Sequence, residues 1–221
     1  MLKLIIGNKA YSSWSLRGWL AVKQSGLPFE EITVPMFDED WDKRTEGDEF
    51  APSAGKVPIL WDDQTVIWDS LAILEYLAES RPELNMWPQD AEARAVARSI
   101  SAEMHSGFVA LRNEMSMELL AHFPTPPIGD ELARDISRIV AIWRGTRERY
   151  GSRGPFLFGA FSNADAMYAP VTTRFRTYGV DLAAFGDDGK AAAYAEAILA
   201  SPEMAEWTEG AEAEAKARLA G

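Results

Sequence analysis

Two serine-containing turns mark the places where this sequence could do chemistry. Ser12 and Ser13 follow an apolar segment, Leu2–Ile6, and precede a helical pattern that stops at Gly26. A hydroxyl at a helix start can cap the helix, and the free backbone amides there favour an anion such as a thiolate or carboxylate. Plain N-capping is the commoner use of serine at such a position, so position alone does not show catalysis.

The second turn is Asp69-Ser70, where the predicted strand Gln64–Trp68 gives way to another helical pattern. Ser70 and the amides after it could hold a carboxylate, and Asp69 could meet an amine. N-capping accounts for both residues equally well.

Between these turns, Val57-Pro58 opens a further predicted strand. Pro58 cannot donate a backbone hydrogen bond, so it suits a cis peptide bond or a sheet edge. Such a kink would leave the N–H and C=O of Val57 free for a peptide-like ligand. An ordinary edge proline is the alternative.

Composition excludes several other chemistries. The 221 residues contain no cysteine, which rules out catalytic thiols, disulfides and thiolate metal sites, and only two histidines, which makes a zinc site a poor prospect. A formal charge of −12 repels phosphate backbones and anionic lipid surfaces, so neither nucleic acid nor a membrane is an expected partner. The N-terminus has no signal-peptide pattern, and we expect a cytoplasmic protein.

The elements that must position these turns fall into two parts. Residues 1–80 give the order β-α-β-(α)-β-β-α, with a weakly periodic stretch over Phe37–Phe50, and so predict a mixed sheet with helices on it. Residues 81–90 suit a linker, and residues 91–221 predict an all-helical bundle. There, the apolar spacing predicts one long helix from Val96 to Leu119, and Ser162 with Asp165 predicts a capping box.

Three segments together resemble the cytosolic glutathione S-transferases: Tyr11–Arg17, Gly55–Leu60 and Trp68–Leu77. The resemblance covers essentially the whole chain and implies an α/β thioredoxin-like N-terminal domain followed by an all-α domain. Its opening motif is most similar to the serine-type classes, zeta and theta-like, whose pattern runs Ser-Ser-Cys-x-x-Arg. Trp14 stands at the cysteine of that pattern, which argues against cysteine-assisted zeta chemistry.

The resemblance also implies roles. Ser12 would hydrogen-bond the glutathione sulfur and favour its thiolate, with Ser13 as the competitor for this role. The electrophile would dock beside the long helix around Met104–Arg112, where His105 is a possible but less expected acid or base.

Glutathione, the implied co-substrate, would be held mainly by backbone and polar groups. Val57 and Pro58 would face its cysteinyl backbone, Asp69 and Ser70 its γ-glutamyl end, and Lys56 its glycyl carboxylate. The implied activity is transfer of glutathione to a small apolar electrophile, in a homodimer. A glutathione-dependent isomerase of the maleylacetoacetate type and a non-catalytic interaction module are the alternatives.

Overall fold

The N-terminal half is built on a four-stranded mixed sheet with the strand order β2-β1-β3-β4. In the computed structural model, which describes residues 1–36 and 39–220, the strands are β1 (Leu2–Gly7), β2 (Phe29–Val34), β3 (Ile59–Asp62) and β4 (Thr65–Trp68). Phe37, Asp38 and Gly221, which fall within predicted segments, lie outside the described residues.

Strand β1 is central and connects the two kinds of pairing. It runs parallel to β2 through a crossover helix, and antiparallel to β3, which forms a hairpin with β4. The helices of this half are α1 (Ser13–Ser25), α2 (Trp41–Thr45) and α3 (Ser70–Ser80). The observed order and pairing of these elements confirm the predicted thioredoxin-like arrangement.

The rest of the chain is mostly helical. The helices are α4 (Ala91–Ser106), α5 (Val109–Glu114), α6 (Asp130–Tyr150), α7 (Asn163–Thr177), α8 (Lys190–Leu199) and α9 (Pro202–Ala220). None of the helices in the described ranges is long and apolar enough to cross a membrane. The predicted capping box starts α7: the Asp165 carboxylate accepts the Ser162 N–H at 2.8 Å.

The prediction of one long helix from Val96 to Leu119 is wrong. Helix α4 ends at Ser106, Gly107 is extended, and Phe108 adopts a left-handed conformation with φ 58° before α5 begins. A Cβ on Gly107 would lie 2.7 Å from a backbone oxygen of the preceding turn, so this break suits glycine. Apolar spacing continued past the break because Met115 and Leu119 are buried without being helical.

The two halves share a continuous apolar core, in which α1 packs against α7 and α9. Trp19 of α1 contacts Trp207 of α9 at 5.2 Å between ring centroids, and the Trp207 indole N–H donates to the Lys9 carbonyl at 2.9 Å. These contacts fix the helical half against the end of β1. The division of the chain at residues 81–90 stays a prediction.

Candidate active site

A cavity of about 960 Å³ opens where the turn after β1, the Val57 turn and the start of α3 converge. Six of the seven residues predicted for a site line it: Ser12, Lys56, Val57, Pro58, Asp69 and Ser70. Apolar side chains complete much of the wall: Trp14, Met36, Trp41 and Trp68. The cavity therefore combines a peptide-sized space with a few polar groups, as small-molecule sites do.

Ser12 is the N-cap of α1. Its backbone is extended (φ −86°, ψ 91°), and its Oγ accepts the Ser15 N–H at 3.3 Å. The Ser12 and Ser15 Oγ atoms lie 2.7 Å apart, and both side chains are buried. Ser12 thus brings a hydroxyl and a helix N-terminus to the same wall of the cavity, which is the arrangement an anion prefers.

Ser13, the competing serine, is the one predicted site residue that does not line the cavity. It is the first residue of α1 and is buried, and its Oγ accepts a hydrogen bond from Arg174 Nη2 at 3.2 Å. The two neighbouring serines therefore have different hydrogen-bond partners and different surroundings. Only Ser12 faces a space that a ligand could fill.

The Val57–Pro58 peptide bond is cis, as predicted. Pro58 is buried, whereas Lys56 is exposed at the rim, and its N–H donates to Ser53 Oγ at 3.1 Å. This turn contributes backbone and one cation to the cavity.

Asp69 and Ser70 occupy the start of α3. Asp69 has a φ of 74° and caps the helix by accepting the Leu71 N–H at 2.9 Å. Ser70 has no accessible surface, and its Oγ has no hydrogen-bond partner among the described residues, although the residue lines the cavity. A buried hydroxyl without a partner costs free energy, so this position is suited to a polar ligand group.

Trp14 is at the centre of a cationic cluster that sequence reasoning missed. The guanidinium carbons of Arg17 and Arg112 lie 4.5 and 4.8 Å from its ring centroid, and the His105 ring meets it edge-on at 5.2 Å. Burial lowers the pKa of Arg17 to about 9, and repulsion from Arg112 and Arg174 adds to this effect. The wall behind the start of α1 is therefore positive, although the chain as a whole is acidic.

The electrophile cleft expected around Met104–Arg112 stays a prediction. Met104, Phe108 and Leu111 are buried in the core, and the Arg112 guanidinium turns back onto backbone carbonyls, including that of Gly107 at 2.9 Å. A smaller cavity of about 290 Å³ lies instead beside Tyr11, between Leu120 and helix α9.

These features define a class of protein in which a thioredoxin-like sheet is followed by a helical region, and a cavity for a ligand opens at the edge of the sheet. Residues 11–80 match the family model described as "Glutathione S-transferase, N-terminal domain". This match covers the N-terminal part of the chain, and there it confirms the resemblance inferred from the motifs.

Individual relatives agree with this assignment. The probable maleylacetoacetate isomerase of Caenorhabditis elegans is 39% identical over 49% of this chain and 48% of the relative. The maleylacetoacetate isomerase of Rattus norvegicus is 28% identical over 78% of this chain and 77% of the relative. The match thus spans only about half the length of the worm relative.

A solved structure extends the likeness of the fold to nearly the whole chain. A glutathione transferase homologue from Burkholderia, with bound glutathione, superposes with a TM-score of 0.68 at 22% identity and covers 96% of this chain and 97% of that one. At that identity the likeness establishes the fold.

Proposed function

We propose that this protein is a glutathione-dependent enzyme that binds glutathione in the 960 Å³ cavity and uses its thiolate as a nucleophile. The observation that carries the proposal is the shared cavity of Ser12 and Ser70, which lie at the starts of two different helices. One helix start suits a sulfur anion and the other a carboxylate, and glutathione contains both groups.

Binding would use the polar groups around the cavity. The unpartnered Ser70 hydroxyl and the first amides of α3 would hold the γ-glutamyl carboxylate, with Asp69 beside the amine. Val57 would pair with the cysteinyl backbone, Pro58 would pack beside it, and Lys56 would meet the glycyl carboxylate at the rim.

The chemical step would depend on the thiolate. An unperturbed thiol has a pKa of about 8.5, and a helix N-terminus with a nearby cation lowers that value. Ser12 would donate a hydrogen bond to the sulfur, and the buried guanidiniums of Arg17 and Arg174 would add a favourable field. The thiolate would then form a bond to an electrophilic carbon while the leaving group departs with its electron pair.

A glutathione-dependent isomerase is the second candidate, and the curated relatives named above favour it. In that reaction the thiolate adds to one carbon of a cis double bond, rotation follows about the resulting single bond, and elimination returns the thiolate. Trp14, at the position of the cysteine in the zeta pattern, argues for the transferase.

A homodimer is the assembly we propose, with the first domain of one subunit against the helical domain of the other. Sedimentation should show twice the chain mass of 24.5 kDa, and a monomer at micromolar concentration would contradict it. A cytoplasmic location and the apolar character of the electrophile also stay predictions.

The experiment that tests the function is calorimetric titration with glutathione, followed by assays with an aryl halide and with a cis-configured maleyl substrate. Binding and turnover of either substrate would support an enzyme and choose between the candidates. Absence of glutathione binding would overturn the proposal and favour the interaction module.

A further inference from the structure

Asn8, a residue that the predicted site did not include, joins three segments of the chain just beyond the end of β1. Its Nδ2 donates to the Glu214 carboxylate of α9 at 3.1 Å, and its Oδ1 accepts the Met36 N–H at 2.7 Å. Its backbone carbonyl accepts the N–H groups of Tyr11 and Ser12 at 3.2 and 2.9 Å. One residue therefore contacts the C-terminal helix, the segment after β2 and the turn that leads into α1.

The two side-chain contacts fix the orientation of the Asn8 amide. An ionised carboxylate only accepts and a backbone N–H only donates, so the amide NH2 faces Glu214 and the amide oxygen faces Met36. The reversed amide would set oxygen against oxygen and donor against donor. The same Glu214 oxygen also accepts the Lys9 N–H at 3.1 Å. Helix α9 therefore holds both the side chain of Asn8 and the backbone that follows it.

Both ends of this bridge reach the 960 Å³ cavity. Ser12 and Met36 line that cavity, whereas Asn8 lines the neighbouring 290 Å³ one. A Cβ added to Gly7 would collide with Met36 Sδ and lie 3.3 Å from Val57 Cγ2, so the side chains of Met36 and Val57 share the space over Gly7. Asn8 thus connects the Ser12 turn to the part of the wall that includes Val57.

We propose that Asn8 is a positioning residue that holds the Ser12 turn and the wall formed by Met36 and Val57 at a fixed separation, so that the cavity is ready for glutathione; this rests on the proposed function of the cavity. Helix α9 anchors Asn8 through Glu214. A ligand site needs its parts held within about 0.5 Å, and supporting hydrogen bonds supply that precision. A cavity that must first be ordered binds its ligand more weakly.

The test measures the dissociation constant of S-methylglutathione by calorimetry, at a temperature where every variant is folded. This ligand has no ionisable thiol, so thiolate formation does not enter the measurement. Asn8→Ala removes both side-chain hydrogen bonds and should weaken binding about three- to tenfold, with a smaller effect on kcat at saturating glutathione. Asn8→Asp keeps an acceptor for the Met36 N–H but sets a second carboxylate against Glu214, so it should weaken binding as well.

Glu214 offers a rescue of Asn8→Asp. Glu214→Gln alone keeps an oxygen that can accept from Asn8 and Lys9, so it should weaken binding less than Asn8→Asp does. When the two changes are combined, donor and acceptor are exchanged, because the introduced amide can donate to the introduced carboxylate. The double variant should bind S-methylglutathione more tightly than Asn8→Asp. A loss of stability alone would not give this pattern, since all the proteins are compared while folded.

Asn163→Ala is the matched control. Asn163 is a buried amide at the start of α7, and its Nδ2 donates to the Leu74 carbonyl at 3.1 Å. It does not line the cavity, so its loss should lower stability and leave the dissociation constant within about twofold.

Three results would overturn the role of Asn8 and leave the proposed function standing. They are unchanged binding in the Asn8 variants, equal weakening in Asn163→Ala, and no recovery in the double variant. If Asn8→Ala does not fold, Asn8→Asp and the double variant decide. If the unchanged protein binds neither S-methylglutathione nor glutathione, the proposed function is wrong, and the role of Asn8 with it.

Discussion

The imidazole Nε2 of His105 lies 3.2 Å from Oδ2 of Asp69, so a side chain from helix α4 reaches the residue that starts α3. The other carboxylate oxygen of Asp69 accepts the Leu71 N–H, and the His105 ring also packs edge-on against Trp14. His105 is not among the residues that line the cavity. The contact therefore favours orientation of Asp69 over acid or base chemistry on a substrate.

We expect His105→Ala to weaken glutathione binding more than turnover. Asp69 would lose one of the two partners that it has among the described residues, and with it a fixed orientation beside the γ-glutamyl amine. A lost hydrogen bond of this kind corresponds to about 1 kcal/mol, which is roughly a fivefold rise in KM for glutathione with kcat nearly unchanged. Steady-state kinetics at varied glutathione concentrations would measure the split.

His122→Ala is the control for this change, because His122 is the other histidine and is exposed. It should leave both constants unchanged. A large fall in kcat for His105→Ala with an unaltered KM would contradict the orienting role and point to proton transfer.

Local sequence signals predicted the sheet and the starts of its helices well. The order of strands and helices over residues 1–80 is the predicted one, and the capping box at Ser162 needs only residues three apart in the chain. The residues that line the candidate cavity were predictable to the same extent, because strand ends, a cis proline and helix starts are local features that the topology brings to one edge.

What the sequence could not decide depends on distant contacts. Ser12 and Ser13 are equivalent as neighbours in a turn, and only Arg174, 161 residues further along the chain, separates them by holding Ser13. The surroundings of Trp14 likewise need Arg112 and His105 from α5 and α4. The helix break at Gly107 was missed because the apolar spacing continued across it.

Replacing each of the two cavity serines by alanine should change different kinetic constants. Ser12→Ala removes the donor to the reacting atom, so the pH at which bound glutathione ionises should rise and kcat should fall, with little change in glutathione affinity. Ser70→Ala removes a ground-state contact, so KM for glutathione should rise with a smaller effect on kcat. An aryl halide assay and thiolate absorbance against pH would measure both.

Ser13→Ala completes this comparison. Its hydroxyl accepts from Arg174 and does not line the cavity, so thiolate formation should persist. If Ser13→Ala abolishes the thiolate while Ser12→Ala leaves it intact, the sulfur contact belongs to Ser13.

Asp165 should make the stability of the protein depend on pH. Burial raises its pKa from 3.8 to about 6, although Leu157 N–H and Ser162 donate to its carboxylate. An acid whose pKa is higher in the folded state binds its proton more tightly when folded. This contribution to stability is therefore full below about pH 4 and is lost as the pH rises through about 6, by up to about 3 kcal/mol.

Urea unfolding at several pH values, compared with Asp165→Asn, would isolate this group. The amide does not titrate, so the difference in unfolding free energy between the two proteins should change in favour of the variant as the pH rises from 4 to 7. A difference that stays constant over this range would show that Asp165 keeps the same protonation state in the folded and unfolded protein.

Arg112 should stabilise the break between α4 and α5. Its guanidinium donates to the carbonyls of Met104, His105 and Gly107, which have lost their helical partners because α4 ends there.

Arg112→Met keeps much of the apolar stem and removes these donors. We expect the free energy of unfolding to fall by about 1 to 3 kcal/mol, because buried carbonyls without donors are costly, even though burial also lowers the pKa of Arg112 and so opposes its charge. Arg134→Met is the matched control, since Arg134 is 71% exposed and its one ion pair within the described residues is with Glu131 at 3.6 Å, and it should change stability by less than about 0.5 kcal/mol. Equal unfolding midpoints in urea for the unchanged protein and Arg112→Met would mean that the carbonyls at the end of α4 find other donors, and that the glycine alone accounts for the break.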